Sequence, residues 1–99
     1  MTNPNFTYGK TLSSLITLLL TEFKQTPPGE ELTTSFIAKQ LAQKNEGVAN
    51  YIELDPVKNK KYLKLRVRNT LKELAESEIV EIEEKKTVLK TTYYTFILK

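Results

Sequence analysis

The spacing of apolar residues changes once along this chain, between Ser77 and Val80, and that change restricts the folds open to it. Up to Ser77 apolar positions recur at three- and four-residue steps, as on helices with one buried face; beyond it they alternate. Leu12, Leu15, Ile16, Leu19 and Phe23 set out a first helix from Lys10 to Lys24. Gln25-Thr26-Pro27-Pro28-Gly29 stops it, because Pro27 disfavours helical backbone in the residue before it. Thr33 or Thr34 caps a second helix, which carries Ile37, Ala38, Leu41 and Ala42 and runs to Gln43. Asp55-Pro56 opens a third: Asp accepts from free backbone donors, and Pro suits a first helical position. Its buried face, Leu63, Val67, Thr70, Leu71 and Leu74, extends to about Ser77. Residues 44–54, with Gly47 and the β-prone pair Tyr51-Ile52, read equally as an irregular connection or a short strand.

After Glu78, Val80 and Ile82 alternate with Glu81 and Glu83, as on a strand with one wet face. Residues 85–90 read as a hairpin tip and Thr91 to Leu98 as the return strand, rich in sheet-favouring Tyr93, Tyr94, Phe96 and Ile97. Both alternation classes of that strand are apolar or aromatic, so each of its faces needs a cover. Leu18 and Leu20 also widen the stripe of the first helix, which predicts a second contact there, such as a subunit interface. A length of 99 residues suits one domain. Residues 1–9 read as a flexible arm and residues 10–99 as the domain.

The chain has no Cys and no His. Disulfides, thiolate or imidazole metal sites, Cys or His nucleophiles and Ser-His-Asp arrangements are thereby excluded. Gly9-Lys10-Thr11 has the closing letters of a phosphate-binding loop, but Pro4 stands where that loop needs glycine, and a polar arm replaces the strand. The glutamates from Glu73 to Glu84 sit between core positions on outward faces, where they limit the spread of positive charge rather than perform acid–base chemistry. The expectation is a protein that is not an enzyme and uses no cofactor and no metal. Apolar runs such as Leu18 to Leu20 are far below the ~18 residues of a membrane span, and no basic residue precedes Lys10 to make a secretory leader. No membrane partner and a cytoplasmic location are expected.

Net charge is +3, yet the charges are segregated. Residues 1–55 carry −2; Lys58, Lys60, Lys61, Lys64, Arg66, Arg68 and Lys72 then give +7 with no acid among them. Glu73, Glu76, Glu78, Glu81, Glu83 and Glu84 give −6, and Lys85, Lys86, Lys90 and Lys99 give +4. Such a basic run is either a solvated helix face or the footprint of a polyanion.

Two stretches resemble the winged helix-turn-helix family. The first is Leu32-Thr33-Thr34-Ser35-Phe36-Ile37-Ala38-Lys39-Gln40-Leu41, similar to that family's capped second helix. The second, from Val67-Arg68-Asn69-Thr70-Leu71 through Leu74 to Ile79-Val80, is similar to its passage from recognition helix to wing strand. The resemblance covers nearly everything from Lys10 to Leu98. It implies an α+β winged helix, three helices followed by a two-stranded β-hairpin wing, with the third helix in a DNA major groove and the wing on the backbone. Two departures stand out: residues 44–54 are longer than the family's usual turn, and Glu78 occupies a position often held by Gly.

Helical residues advance about 100° each, which puts Lys58, Lys61, Leu65, Arg68 and Lys72 opposite the core face of the third helix, with Tyr62 and Asn69 to one side. Lys60 falls near the core side, so the first turn is expected to project beyond the domain body. Lysines suit phosphates, whereas Arg68 and Asn69 have the geometry to read guanine and adenine edges. Leu65 suits a thymine methyl or a second protein chain. The candidate DNA-binding residues are therefore Lys58, Lys61, Lys64, Leu65, Arg68, Asn69 and Lys72, with Lys85, Lys86 and Lys90 from the wing. The function expected is sequence-specific binding of double-stranded DNA by a small transcriptional regulator acting as a homodimer. The alternative is a winged-helix module for protein association, without DNA binding.

Overall fold

In the computed structural model, which describes residues 9–99, the change of period separates a helical part from a hairpin. Helices α1 (Gly9–Gln25), α2 (Thr34–Lys44), α3 (Glu46–Leu54) and α4 (Pro56–Glu76) precede an antiparallel pair, β1 (Val80–Lys86) and β2 (Thr92–Leu98). The class is α+β, with four helices rather than the three expected. Residues 44–54 are neither an irregular connection nor a strand: Lys44 ends α2, Asn45 is the junction and Glu46–Leu54 form α3. The expected arm falls outside the described residues except for Gly9, which opens α1.

Capping side chains explain how three helices follow one another with almost no loop. Thr33 Oγ1 accepts from the Phe36 N–H at 3.2 Å and starts α2. Asn45 closes α2 by donating its N–H to the Leu41 carbonyl at 2.9 Å, and starts α3 by accepting from the Val48 N–H at 3.0 Å. Asp55 repeats the device: its N–H donates to the Ile52 carbonyl at 3.2 Å, and its carboxylate accepts from the Lys58 N–H at 3.3 Å. Asn45 and Asp55 each satisfy orphan groups on both sides of a corner. At the far end of α4, Ile79 N–H bonds to the Leu74 carbonyl at 2.9 Å and Glu78 N–H to that of Ala75 at 3.0 Å, with Glu78 at φ 60°. This is the left-handed helix stop that glycine usually occupies.

Leu12, Ile16, Leu19 and Leu20 of α1, Ile37, Ala38 and Leu41 of α2, and Val48 of α3 enclose Leu63, Val67, Leu71 and Leu74 of α4. Val80 and Phe96 bring the hairpin base into the same core. Leu20 belongs to this core and only Leu18 of the widened stripe stays outside, 67% exposed, so α1 keeps no broad second apolar face. The hairpin register pairs Ile82 with Phe96 and Glu84 with Tyr94, on the face that continues from Val80 toward α4. On the opposite face Thr95 and Ile97 line a depression with Leu20 and Phe23 of α1 and with Pro27, Pro28 and Leu32 of the connecting segment. The Phe96 N–H donates to the Leu32 carbonyl at 2.9 Å, tethering the outer edge of β2. At the base of the hairpin Phe96 and Thr95 are buried, one on each face, whereas Ile97 stays 42% exposed, so the second face of β2 is covered only in part. Lys85 and Lys86 end β1 rather than forming the tip, which consists of residues 87–91.

Candidate nucleic-acid interface

Helix α4 has 21 residues and two unlike parts. Between Pro56 and Tyr62 every residue is exposed except the half-buried Asn59, so this stretch projects from the body as Lys60 had suggested. Its inner side is held by α3: Asn59 Nδ2 donates to the Tyr51 carbonyl at 2.6 Å, and the Tyr51 and Tyr62 rings meet at 6.3 Å. Burial, followed by the neighbouring Tyr62 and Asp55, pushes the Tyr51 phenol up. From Leu63 onward the core residues return every three or four positions. Six of the seven cations face outward: Lys58, Lys60, Lys61, Lys64, Arg68 and Lys72 are exposed, whereas Arg66 is half-buried. Among the described residues none of these six makes an ion pair.

The distal part of this stripe is one wall of an open groove of about 710 Å³. Lys64, Leu65, Arg68 and Lys72 form that wall, Ile82, Tyr93, Tyr94 and Phe96 of the hairpin form another, and Thr33, Thr34 and Ser35 close the third side. These last three are the start of α2, where first-turn backbone donors and the positive end of the helix favour an anion. Among the described residues no acidic side chain lines the groove. Lys58 and Lys61 continue the stripe along the projecting turns, and Asn69, although exposed, does not line the groove. Leu65 is 48% exposed amid the cations.

The hairpin lysines divide. Lys86 and Lys90 are exposed and make no ion pair among the described residues. Lys85 is bound to the body, with Nζ 3.1 Å from Glu31 Oε2, while the Tyr93 hydroxyl donates to Glu31 Oε1 at 2.5 Å. The Tyr93 hydrogen bond and then Lys85 hold the Glu31 carboxyl below its ordinary range. The same contacts push the Lys85 ammonium and the Tyr93 phenol up. Lys85 thus takes part in a surface clamp between the hairpin and the body. Sequence reasoning missed Glu31, the start of α2 as part of the site, and Ile82 and Tyr94 as its floor. The capped Thr33-Thr34-Ser35 start was visible in the chain, but its approach to α4 is a tertiary fact.

No helix among the described residues is long and apolar enough to cross a membrane. No protein-family model, curated protein or solved structure matches the chain.

Proposed function

We propose that this chain is a sequence-specific double-stranded DNA-binding protein of winged-helix type, a small cytoplasmic transcriptional regulator without catalytic chemistry of its own. Helix α4 enters the major groove, and Lys86 and Lys90 of the hairpin meet the backbone. The observation that carries this reading is the row of six exposed cations on α4, none in an ion pair among the described residues, beside a groove that no described acidic side chain lines and that also receives the start of α2. The row of exposed cations from Lys58 to Lys72 runs along about 21 Å of helix and matches a polyanion better than any small ligand. Arg68, on the groove wall, is the residue best placed to read a base, and Lys64 and Lys72 flank it as phosphate contacts. The reading includes a homodimer on a two-fold site, for which Leu18 and the exposed pair Leu54 and Val57 at the α3–α4 corner offer the apolar surface.

A second reading has one observation in its favour. Leu65, Ile82 and Tyr94 are large, partly exposed and gathered in one groove, as a protein partner would require. Competition binding with selected and random duplexes across a salt series separates the two. With roughly four to six phosphate contacts per chain, the logarithm of the binding constant falls against log salt with a slope of about −0.9 per contact. A slope of zero removes the phosphate role and leaves the association domain. Sedimentation of the same samples tests the dimer, which a monomer-only profile at micromolar concentration would rule out.

A further inference from the structure

The hairpin tip has a composition that turn formation does not explain. Tight turns are usually built from Gly, Asn, Asp, Pro or Ser, yet Thr87-Val88-Leu89-Lys90-Thr91 contains none of them. Val88 is 100% and Leu89 89% exposed, the most exposed large apolar residues among those described. They are nevertheless held in a defined shape. The Lys90 N–H donates to the Thr87 carbonyl at 2.8 Å, the Thr87 N–H to the Thr91 carbonyl at 3.0 Å, and the Thr91 N–H to Thr87 Oγ1 at 3.1 Å. Lys90 takes the left-handed conformation, φ 66°, as in a three-residue hairpin loop. Two aliphatic side chains are thus presented at the end of an ordered arm. Lys86 and Lys90 flank them, and no acid occurs between Lys85 and Lys99.

We propose that Val88 and Leu89 form an apolar wedge that enters the DNA minor groove, unstacks one base step and bends the duplex toward α4. The proposal rests on the DNA-binding reading and deepens it, since lysines on a backbone would not require the aliphatic pair. Reach supports it. Ile82 lines the groove beside α4, and Val88 lies six residues further on, about 20 Å of strand. Major and minor groove centres are about 17 Å apart, half of the ~34 Å helical turn. A minor groove about 6 Å wide admits a two-residue tip but no helix, and aliphatic wedges of this kind kink DNA at flexible steps. The same pair could in principle dip into a lipid surface, but two side chains bury little apolar area there, and the unpaired cations of α4 line the groove next to the hairpin.

The test uses the full chain and the duplex that it selects from a random pool, with fluorophores at both ends and 2-aminopurine at successive steps beside the α4 site. The Val88→Ser, Leu89→Ser double variant changes only exposed positions, and its melting curve is the check that it folds as the parent does. The parent is expected to raise energy transfer between the ends and 2-aminopurine emission at one step. The variant is expected to keep the salt slope, lose both signals and bind about tenfold more weakly. The parent is also expected to bind more tightly when that step is mismatched, and the variant to gain less. Duplex binding by the parent without bending or unstacking overturns the wedge and leaves the DNA-binding reading standing, as does a variant equal to the parent in both signals. No binding to any duplex at low salt overturns both. Binding of the parent, but not the variant, to phosphatidylserine vesicles assigns the tip to lipid and overturns the wedge.

Discussion

Helix α4 and the β-hairpin both display exposed cations that make no ion pair among the described residues, yet they hold them in different ways. On α4 the cations occupy the outer side of a helix whose inner side supplies Leu63, Val67, Leu71 and Leu74 to the core, so charge and anchorage share one rigid element. In the hairpin only the base is buried, through Val80, Thr95 and Phe96, and the outer half is positioned by surface polar contacts at Glu31. A helix with one buried face displays long side chains in fixed register, whereas a two-stranded ribbon needs a tether to aim its end. On the proposed DNA-binding reading, recognition falls to α4 and adjustable reach to the hairpin.

The sharpest way to break this comparison is to remove anchorage from each side. Leu71 is fully buried and Ile82 is 40% exposed. Leu71→Ala should cost about 2–5 kcal/mol, a large share of the ~5–15 kcal/mol total of such a domain. Ile82→Ala should cost about 1 kcal/mol or less. Urea unfolding followed by circular dichroism measures both. Equal losses would mean that the hairpin is as much a part of the core as α4 is.

The next largest effect concerns recognition itself. Arg68→Ala should cost about 1–3 kcal/mol on the preferred duplex and relax preference at one base pair, because a bidentate base contact is lost. Lys72→Ala should weaken all duplexes alike and lower the salt slope by about one contact. Asn69 stands off the groove, so Asn69→Ala should fall below Arg68→Ala, a ranking that helical periodicity alone does not give. If all three variants lose affinity equally on selected and random duplexes, α4 attracts DNA without reading it.

How far the chain announced this arrangement differs by element. The buried faces of α1, α2 and α4 follow from three- and four-residue spacing, and Thr33 and Asp55 mark their helix starts as the caps they are. Helix α3 was hidden because Gly47, Tyr51 and Ile52 weigh against a helix locally. Its signal lay in Asn45 as cap, Glu46 in the first turn and the Val48-to-Ile52 step, all of which need a neighbour to pack on before they decide anything. The tip starts two residues and ends one residue later than expected because its left-handed position is filled by Lys90, not by Gly or Asn. The cationic stripe was legible residue by residue. The groove was not, since Ile82, Tyr94 and Thr33 reach it only through the fold.

Two left-handed residues offer a gentler comparison of the regions. Glu78 at φ 60° ends α4 inside a bonded helix stop, and Lys90 at φ 66° sits in the exposed tip. Glycine accepts this conformation without the steric cost that other residues carry, a cost partly offset by glycine's freedom in the unfolded chain. Glu78→Gly should therefore raise stability by about 0.5–1 kcal/mol. Lys90→Gly should raise it less, because the tip opens locally before the domain unfolds. Thermal melting ranks the two, and a larger gain at residue 90 would show the tip to be coupled to global stability.

The smallest effect separates the regions by pH. Glu31, Lys85 and Tyr93 are exposed, so their contacts contribute little to global stability, but they are what aims the hairpin. The folded-state pKa of Glu31 is lowered, by Tyr93 first and then Lys85, so its contribution is complete above the ordinary carboxylate value of 4.5 and fades as pH falls through the lowered one. Lys85 and Tyr93 are raised, both chiefly by their bonds to Glu31; their contributions are complete below the ordinary values of 10.5 and 10.0 and fade as pH rises through the raised ones. Near neutral pH the clamp is closed and insensitive to pH. Glu31→Gln removes the charge that both partners share, so hydrogen exchange at Tyr93 and Thr95, whose amides face β1, should quicken at neutral pH, while exchange at the α4 core amides of Val67 and Leu71 stays as it was. The parent should approach the variant's exchange, corrected for intrinsic rates, only as the medium becomes acid enough to protonate Glu31. If exchange in β2 is unchanged by the substitution, the hairpin is aimed by its buried base alone, and Lys85 returns to the set of cations free to meet a phosphate.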